Sequence, residues 1–121
     1  MHEFPSPDVR IKRILDNALG ACTYISASKD ADAHMLVLHT LRTNGRRVGV
    51  RFRGVKESET TGEPTSGASI KVRSVKKEGG SVVGRLFWIY KAPELPNARV
   101  RIDAGPATLD IVCQDAEWWE E

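Results

Sequence analysis

The strongest constraint on this chain is an alternation of apolar and polar residues that begins near residue 22 and continues to residue 114. A period near two places successive side chains on opposite faces of a strand. Turn-forming residues interrupt the alternation repeatedly, which predicts about seven short, mostly antiparallel strands. One helix precedes them, so the predicted class is α+β, predominantly β. The strand spacing fits a small barrel or a sandwich, and both architectures stay open.

The helix is predicted over residues 7–19. Ser6 is a suitable cap, Pro7 suits the first helical position, and Asp8 lies near the positive end of the helix dipole. Gly20 is expected to end the helix. The apolar residues recur at the spacing of one helical face; they are Ile11, Ile14, Leu15, Ala18, Leu19 and Cys22.

The dipeptide Asn44-Gly45 lies between two apolar segments, where it is a strong hairpin signal. A two-residue turn pairs Thr43 with Arg46 and therefore Leu41 with Val48. The predicted core face of this hairpin comprises Met35, Val37, His39, Leu41, Val48, Val50 and Phe52. The predicted basic face comprises Leu36, Leu38, Arg47, Arg51 and Arg53.

The middle of the chain is predicted to contain one long loop and two strands. Residues 57–68 are polar and include Gly and Pro, which predicts the loop. Strand 69–76 has an apolar face and a basic face, formed by Ile70 and Val72 and by Lys71 and Arg73 respectively. Strand 81–91 is the most hydrophobic segment and is expected to be central. The turn before it can have two or three residues, and the two registers remain alternatives.

The last hairpin is predicted to join strands 98–104 and 107–114 through Gly105-Pro106. If Ala104 pairs with Ala107, Arg101 faces Asp110 across the hairpin as a compensated surface pair. Val100 and Ile102 on the first strand, and Leu109, Ile111 and Cys113 on the second, are expected to point inward. Residues 115–121 form an acidic tail that contains Trp118 and Trp119.

Length and composition point to one globular domain over residues 1–121. No window approaches the ~18 consecutive apolar residues of a membrane span, so no membrane association is expected. The first seven residues lack the basic and apolar regions of a signal peptide, which favours a cytoplasmic location. In that compartment Cys22 and Cys113 are expected to be reduced, buried thiols.

The net charge of +2 conceals a strong asymmetry along the chain. Residues 42–91 carry twelve Lys or Arg and four Glu, a net of +8, whereas residues 92–121 carry two Arg and seven acids, a net of −5. Basic residues alternate on two of the predicted strands, and the candidate binding residues are Arg47, Arg51, Arg53, Lys71 and Arg73. If both strands share one side of a sheet, they form a positive surface for an acidic protein or a nucleic-acid backbone. The alternative is a solvated face whose arginine stems cover Leu36 and Leu38.

Catalytic and metal-binding patterns are absent from the sequence. His34 and His39 have opposite strand parity, and no CxxC or HxxxH occurs, so no metal ligand set is expected. No GxSxG motif is present, and neither cysteine has a basic neighbour. A non-enzymatic binding or regulatory module without a cofactor is therefore the leading hypothesis.

A small-anion binder is the first alternative. The spacing Arg47-Val-Gly-Val-Arg51 resembles the RxxxR element of PilZ cyclic-dinucleotide receptors, which are small β-barrels. The second PilZ element, Asp/Asn-x-Ser-x-x-Gly, is missing, and the nearest segment is Glu57-Ser-Glu-Thr-Thr-Gly62. The resemblance implies a nucleotide-like ligand held by arginines.

A structural or assembly subunit is the second alternative. Two arrangements of the acidic tail stay open. In one, which involves no second subunit, the tail folds back onto the basic strands and Trp118 and Trp119 pack at the rim. In the other, both tryptophans dock on a second subunit, as aromatic anchors do at interfaces. A homo-oligomer could then form through strand edges or through the tail.

Overall fold

The computed structural model describes residues 7–78 and 97–121. These residues form one helix and eight strands. In chain order they are α1 (Pro7–Ala18), β1 (Cys22–Asp30), β2 (Met35–Arg42), β3 (Arg47–Arg53), β4 (Glu57–Thr61), β5 (Ile70–Glu78), β6 (Asn97–Ala104), β7 (Ala107–Cys113) and β8 (Asp115–Glu120). Ser6 and the predicted strand 81–91 lie outside the described residues.

The strands form two antiparallel sheets. The first sheet has the order β1-β2-β3-β8, and the second has the order β4-β7-β6-β5. Their inner faces share one core, and the described strands do not close into a barrel, whereas the two sheets are compatible with the predicted sandwich. The predicted α+β, predominantly β class is confirmed. Within the described residues, the helix is too short and too polar to cross a membrane.

Helix α1 packs against β5, β6 and β8 and inserts one apolar face into the core. Ile11, Leu15 and Ala18 are each fully buried, as their helical spacing predicts. The helix ends one residue before the predicted limit. The residue with a left-handed backbone after the helix is Ala21, whose φ is 54°, instead of the predicted Gly20.

The predicted hairpin between β2 and β3 exists, but its predicted register is wrong. Arg42 N–H donates to the carbonyl of Arg46 at 2.8 Å, so the connection has three residues instead of two. Gly45 N–H also donates to Arg42 at 2.9 Å, and Gly45 has φ of +87°. This is a type I turn followed by a left-handed glycine, the usual three-residue connection.

The extra loop residue reverses the faces of β2, because a one-residue shift moves every side chain to the other side of a strand. Leu36, Leu38 and Thr40 are buried, and the Thr40 hydroxyl donates to the carbonyl of Val48 at 2.9 Å. His39 and Leu41, predicted to be core, are exposed. The prediction for β3 is correct, since Val48, Val50 and Phe52 are buried.

Two segments that lack clear alternation are strands. Glu57–Thr61 pairs with β7, although residues 57–68 were predicted to be a loop. Its side chains are mostly exposed, so an edge position allows it to be polar throughout. The acidic tail forms β8, which pairs with β3 along its length.

The β6–β7 hairpin has the predicted register. Ala104 pairs with Ala107, and Arg101 lies opposite Asp110 with a nitrogen–oxygen distance of 3.3 Å. The five residues predicted to point inward on these strands are all at most 2% exposed.

Candidate functional site

The candidate site is the outer face of β2, β3 and β8, called here the arginine face. Strand β3 contributes its three predicted arginines, because the buried residues alternate with them. The neighbouring strands contribute polar, apolar and aromatic side chains. The members of the face are Met35, Val37, His39, Leu41, Arg47, Gly49, Arg51, Arg53, Glu117 and Trp119.

Trp119 lies at the centre of the arginine face, directly over Gly49. A Cβ at position 49 would lie 2.3 Å from Cζ2 of the indole, so only glycine leaves room for the ring. The Arg51 guanidinium stacks over the same indole at 5.3 Å from its centroid and donates to Glu117 at 2.7 Å. Arg51 therefore holds β8 against β3 through a cation–π contact and an ion pair.

Each acid of β8 is paired with an arginine from another element. Asp115 accepts from Arg10 of α1 at 3.1 Å, Glu117 accepts from Arg51, and Glu120 pairs with both Arg42 and Arg46. The structure thus places the tail on the basic strands of its own chain. This arrangement neutralises part of the basic block in sequence.

Arg42 lies on the inner side of the hairpin end and connects three elements. Its guanidinium donates to the carbonyls of Asn17 at 2.8 Å and Ala18 at 3.4 Å, at the C-terminal end of α1. The same group pairs with Glu120 and stacks over Trp118 at 5.3 Å. The last turn of α1 contains no basic residue, so Arg42 supplies the cation that this end of the helix dipole favours.

Arg47 and Arg53 have no ion pair or hydrogen bond from their side chains within the described residues. Both are exposed. They lie on either side of the Arg51–Glu117 pair; along β3, Arg47 is four residues before Arg51 and Arg53 is two residues after it. The free positive charge of the arginine face therefore lies at its two ends.

Lys71 and Arg73, the other predicted site residues, lie in the second sheet. Lys71 is opposite Asp103, and Arg73 falls where the register shifts and donates to Asp103 at 3.1 Å. Strands β3 and β5 belong to different sheets, so these residues do not extend the surface formed by Arg47, Arg51 and Arg53.

A cavity of about 280 Å³ opens beside Trp119 on the arginine face. Its polar lining comes from Ser26, His39, Arg47 and Glu121, and its apolar lining includes the indole. The His39 imidazole makes no hydrogen bond within the described residues. The sequence pattern missed this cavity because the predicted register had placed His39 in the core.

Trp118 and Trp119, the predicted interface residues, take opposite sides of β8. Trp118 is 38% exposed beside Arg42, and Trp119 is partly buried over Gly49. The alternation of a strand explains their opposite directions. Nothing in the composition of the tail distinguished this strand from an irregular segment.

The described residues contain no group of three or more metal-ligating side chains. Cys113 is fully buried, and burial together with the nearby charge of Asp115 raises its pKa to about 12. Its thiol is therefore protonated and unreactive at neutral pH. No model of a known protein family matches the sequence, and no curated protein is significantly similar to it.

Proposed function

We propose that this chain is a non-enzymatic binding module whose arginine face contacts an acidic protein. The observation that carries the proposal is a pair of exposed arginines at the two ends of a partly apolar sheet face, Arg47 and Arg53, which have no acidic partner within residues 7–78 and 97–121. A partner with carboxylates at matching positions would neutralise both charges.

The residue types on this face are those enriched in protein interfaces. All three cations of β3 are arginines, and arginine, methionine and aromatic residues are over-represented at such surfaces. Arginine is also less strongly hydrated than lysine, so it loses less on burial. Met35, Val37 and Leu41 supply the apolar contact area, and Leu41 is 38% exposed.

Charge balance favours a protein over a nucleic acid. Three arginines share the arginine face with Glu117, and Glu121 lines its cavity, so the net charge of this surface is small. Binding of a nucleic-acid backbone depends on cations that neutralise phosphates, because each neutralised phosphate releases condensed counterions. Acidic groups between the cations oppose this binding, so a nucleic-acid site needs several cations without intervening acids. The Trp119 ring, moreover, already contacts Gly49 and Arg51, so less of it is available for stacking with a base.

The cavity beside Trp119 also separates this proposal from the small-anion alternative. A nucleotide-like site would need an apolar pocket with two convergent arginines. This cavity is lined by one, Arg47.

Two double variants with equal net charge test the proposal. Arg47→Gln/Arg53→Gln and Lys71→Gln/Lys76→Gln each lower the net charge from +2 to 0, but the second changes the other sheet. Fluorescence anisotropy would measure binding of labelled hexaglutamate and of a single-stranded DNA with the same charge, over a salt series. We expect the first variant to weaken hexaglutamate binding at least about tenfold and the second less than about twofold.

Equal losses in the two variants would mean that binding follows net charge and would overturn the proposal. Tighter binding of the DNA than of hexaglutamate, retained at physiological salt, would instead support the nucleic-acid alternative.

A further inference from the structure

The cavity beside Trp119 results from the packing of β3 and β8 on the arginine face. Its floor exists because Gly49 has no side chain, which lets the indole lie on the backbone of β3. Its volume of about 280 Å³ lies below the range of drug-sized ligand pockets, ~300 to 1,000 Å³, and suits a single side chain.

We infer that this cavity binds one carboxylate side chain of the acidic partner, with Arg47 and His39 as its donors. The inference rests on the proposed function and deepens it, since it names the point of contact. An interface commonly derives most of its affinity from a few buried anchors, and a carboxylate held by a guanidinium is a strong one.

The donors are available for such a contact. Arg47 has no acidic partner in the part of the chain that the structure describes, whereas Arg42, Arg46 and Arg51 each have one. The imidazole of His39 lines the same cavity without a hydrogen bond inside the described residues. The hydroxyl of Ser26, which is opposite His39 in the sheet, adds a neutral donor.

One acidic group, Glu121, also lines the cavity and opposes an anion. Its presence makes the sign of the charge effect testable. Removal of this negative charge should strengthen binding of a carboxylate and weaken binding of a cation, and the substitution Glu121→Gln keeps the size of the side chain.

The probe is N-acetylglutamate N-methylamide, and the matched neutral probe is N-acetylglutamine N-methylamide. Nuclear magnetic resonance would follow the indole N–H of Trp119 and the imidazole of His39. We expect the carboxylate probe alone to shift both resonances, with affinity lost at least about tenfold in Arg47→Gln, nearly unchanged in Lys76→Gln on the other sheet, and raised about twofold to fivefold in Glu121→Gln. The variant Arg47→Lys keeps the charge but loses the two-pronged geometry, so it should recover only part of the affinity.

Several results would overturn the inference. They are equal shifts from the neutral probe, equal affinity for inorganic phosphate, or weaker binding in Glu121→Gln.

Failure of the inference is distinguishable from failure of the proposed function. Hexaglutamate binding that depends on Arg47 and Arg53 without any shift at Trp119 removes only the carboxylate site. A shift at Trp119 without hexaglutamate binding removes only the wider surface.

Discussion

Trp119 and Gly49 form a matched pair across β3 and β8. The ring occupies the space that any side chain at position 49 would need, with Cζ2 only 2.3 Å from the Cβ position. We predict that Gly49→Ala displaces the indole and lowers the free energy of unfolding by about 1 to 3 kcal/mol through overpacking. Chemical denaturation and near-ultraviolet circular dichroism would measure the loss of stability and the movement of the ring.

The control for this prediction is the same substitution in a Trp119→Ala background. Without the indole, alanine is the better strand residue, because glycine costs about 0.5 to 1 kcal/mol in a strand interior. Gly49→Ala should then stabilise the protein. A destabilisation of equal size in both backgrounds would contradict a direct contact between the two residues.

Among the arginines that pair with Glu120, Arg42 is expected to contribute more to stability. Its side chain is 23% exposed, and Arg42→Met removes the contacts to the end of α1 and to Glu120 while it keeps the apolar stem. We expect a loss of about 2 to 3 kcal/mol, since the substitution leaves the Glu120 carboxylate, itself 24% exposed, with a weaker partner. Urea denaturation of the variant would measure it.

Arg46 provides the matched control because it pairs with the same carboxylate at 3.2 Å. Its side chain is 64% exposed, and ion pairs in solvent contribute little. Arg46→Met should therefore cost less than about 1 kcal/mol. Similar losses for the two variants would show that the contact of Arg42 with α1 contributes nothing.

The buried thiol of Cys113 should make the free energy of unfolding depend on pH in the alkaline range. Burial raises the pKa of its thiol from 9.0 to about 12 in the folded state, so the unfolded chain releases this proton at lower pH than the folded chain. The stabilisation is complete below pH 9.0 and is lost as the pH rises from there toward 12. The free energy of unfolding should fall by up to ~1.4 kcal/mol per pH unit from this group in that interval.

Cys113→Ala isolates the contribution of the thiol. The variant should show a shallower decrease in unfolding free energy between pH 9 and pH 11 than the unchanged protein, measured by urea denaturation at each pH. Parallel pH profiles would contradict the assignment, whatever the difference in absolute stability caused by the smaller side chain.

Turn chemistry explains why one hairpin was predictable and the other was not. In Gly105-Pro106, proline fixes the second turn position at negative φ, and Gly105 has φ of +65°, which fits a type II′ turn with two residues. The register followed from that single solution. Asn44-Gly45 suits either a two-residue type I′ turn or the last two residues of a three-residue loop, so local sequence did not decide between them.

For the candidate site, the sequence could predict which residues of one strand share a face, but not which strands lie side by side. Alternation placed Arg47, Arg51 and Arg53 on one face of β3, because each inner position is apolar. It could not show that Lys71 belongs to the other sheet, nor that β8 pairs with β3, since both facts depend on long-range strand order. The cavity was missed for the same reason as the register, because His39 changes face when β2 shifts by one residue.

The structure of the β2–β3 loop leads to a prediction about its length. Arg42 and Arg46 flank the three loop residues and pair with each other, so deletion of Thr43 leaves the same flanking pair around Asn44-Gly45. A two-residue Asn-Gly loop strongly favours a type I′ turn, whose twist matches the strands. We therefore expect the deletion to retain the observed register and to change the unfolding free energy by less than about 1 kcal/mol.

Gly45→Ala is the contrasting variant in the full-length loop. No atom lies within 4 Å of the Cβ position there, so the cost comes from the backbone, whose φ is +87°. A left-handed conformation costs a residue with a side chain about 1 to 2 kcal/mol. Urea denaturation would compare both variants, and cross-strand nuclear Overhauser effects between Thr40 and Val48 would report the register. Loss of those contacts on deletion of Thr43 would mean that the loop length itself, and not the burial of Leu36, Leu38 and Thr40, determines which face of β2 points inward.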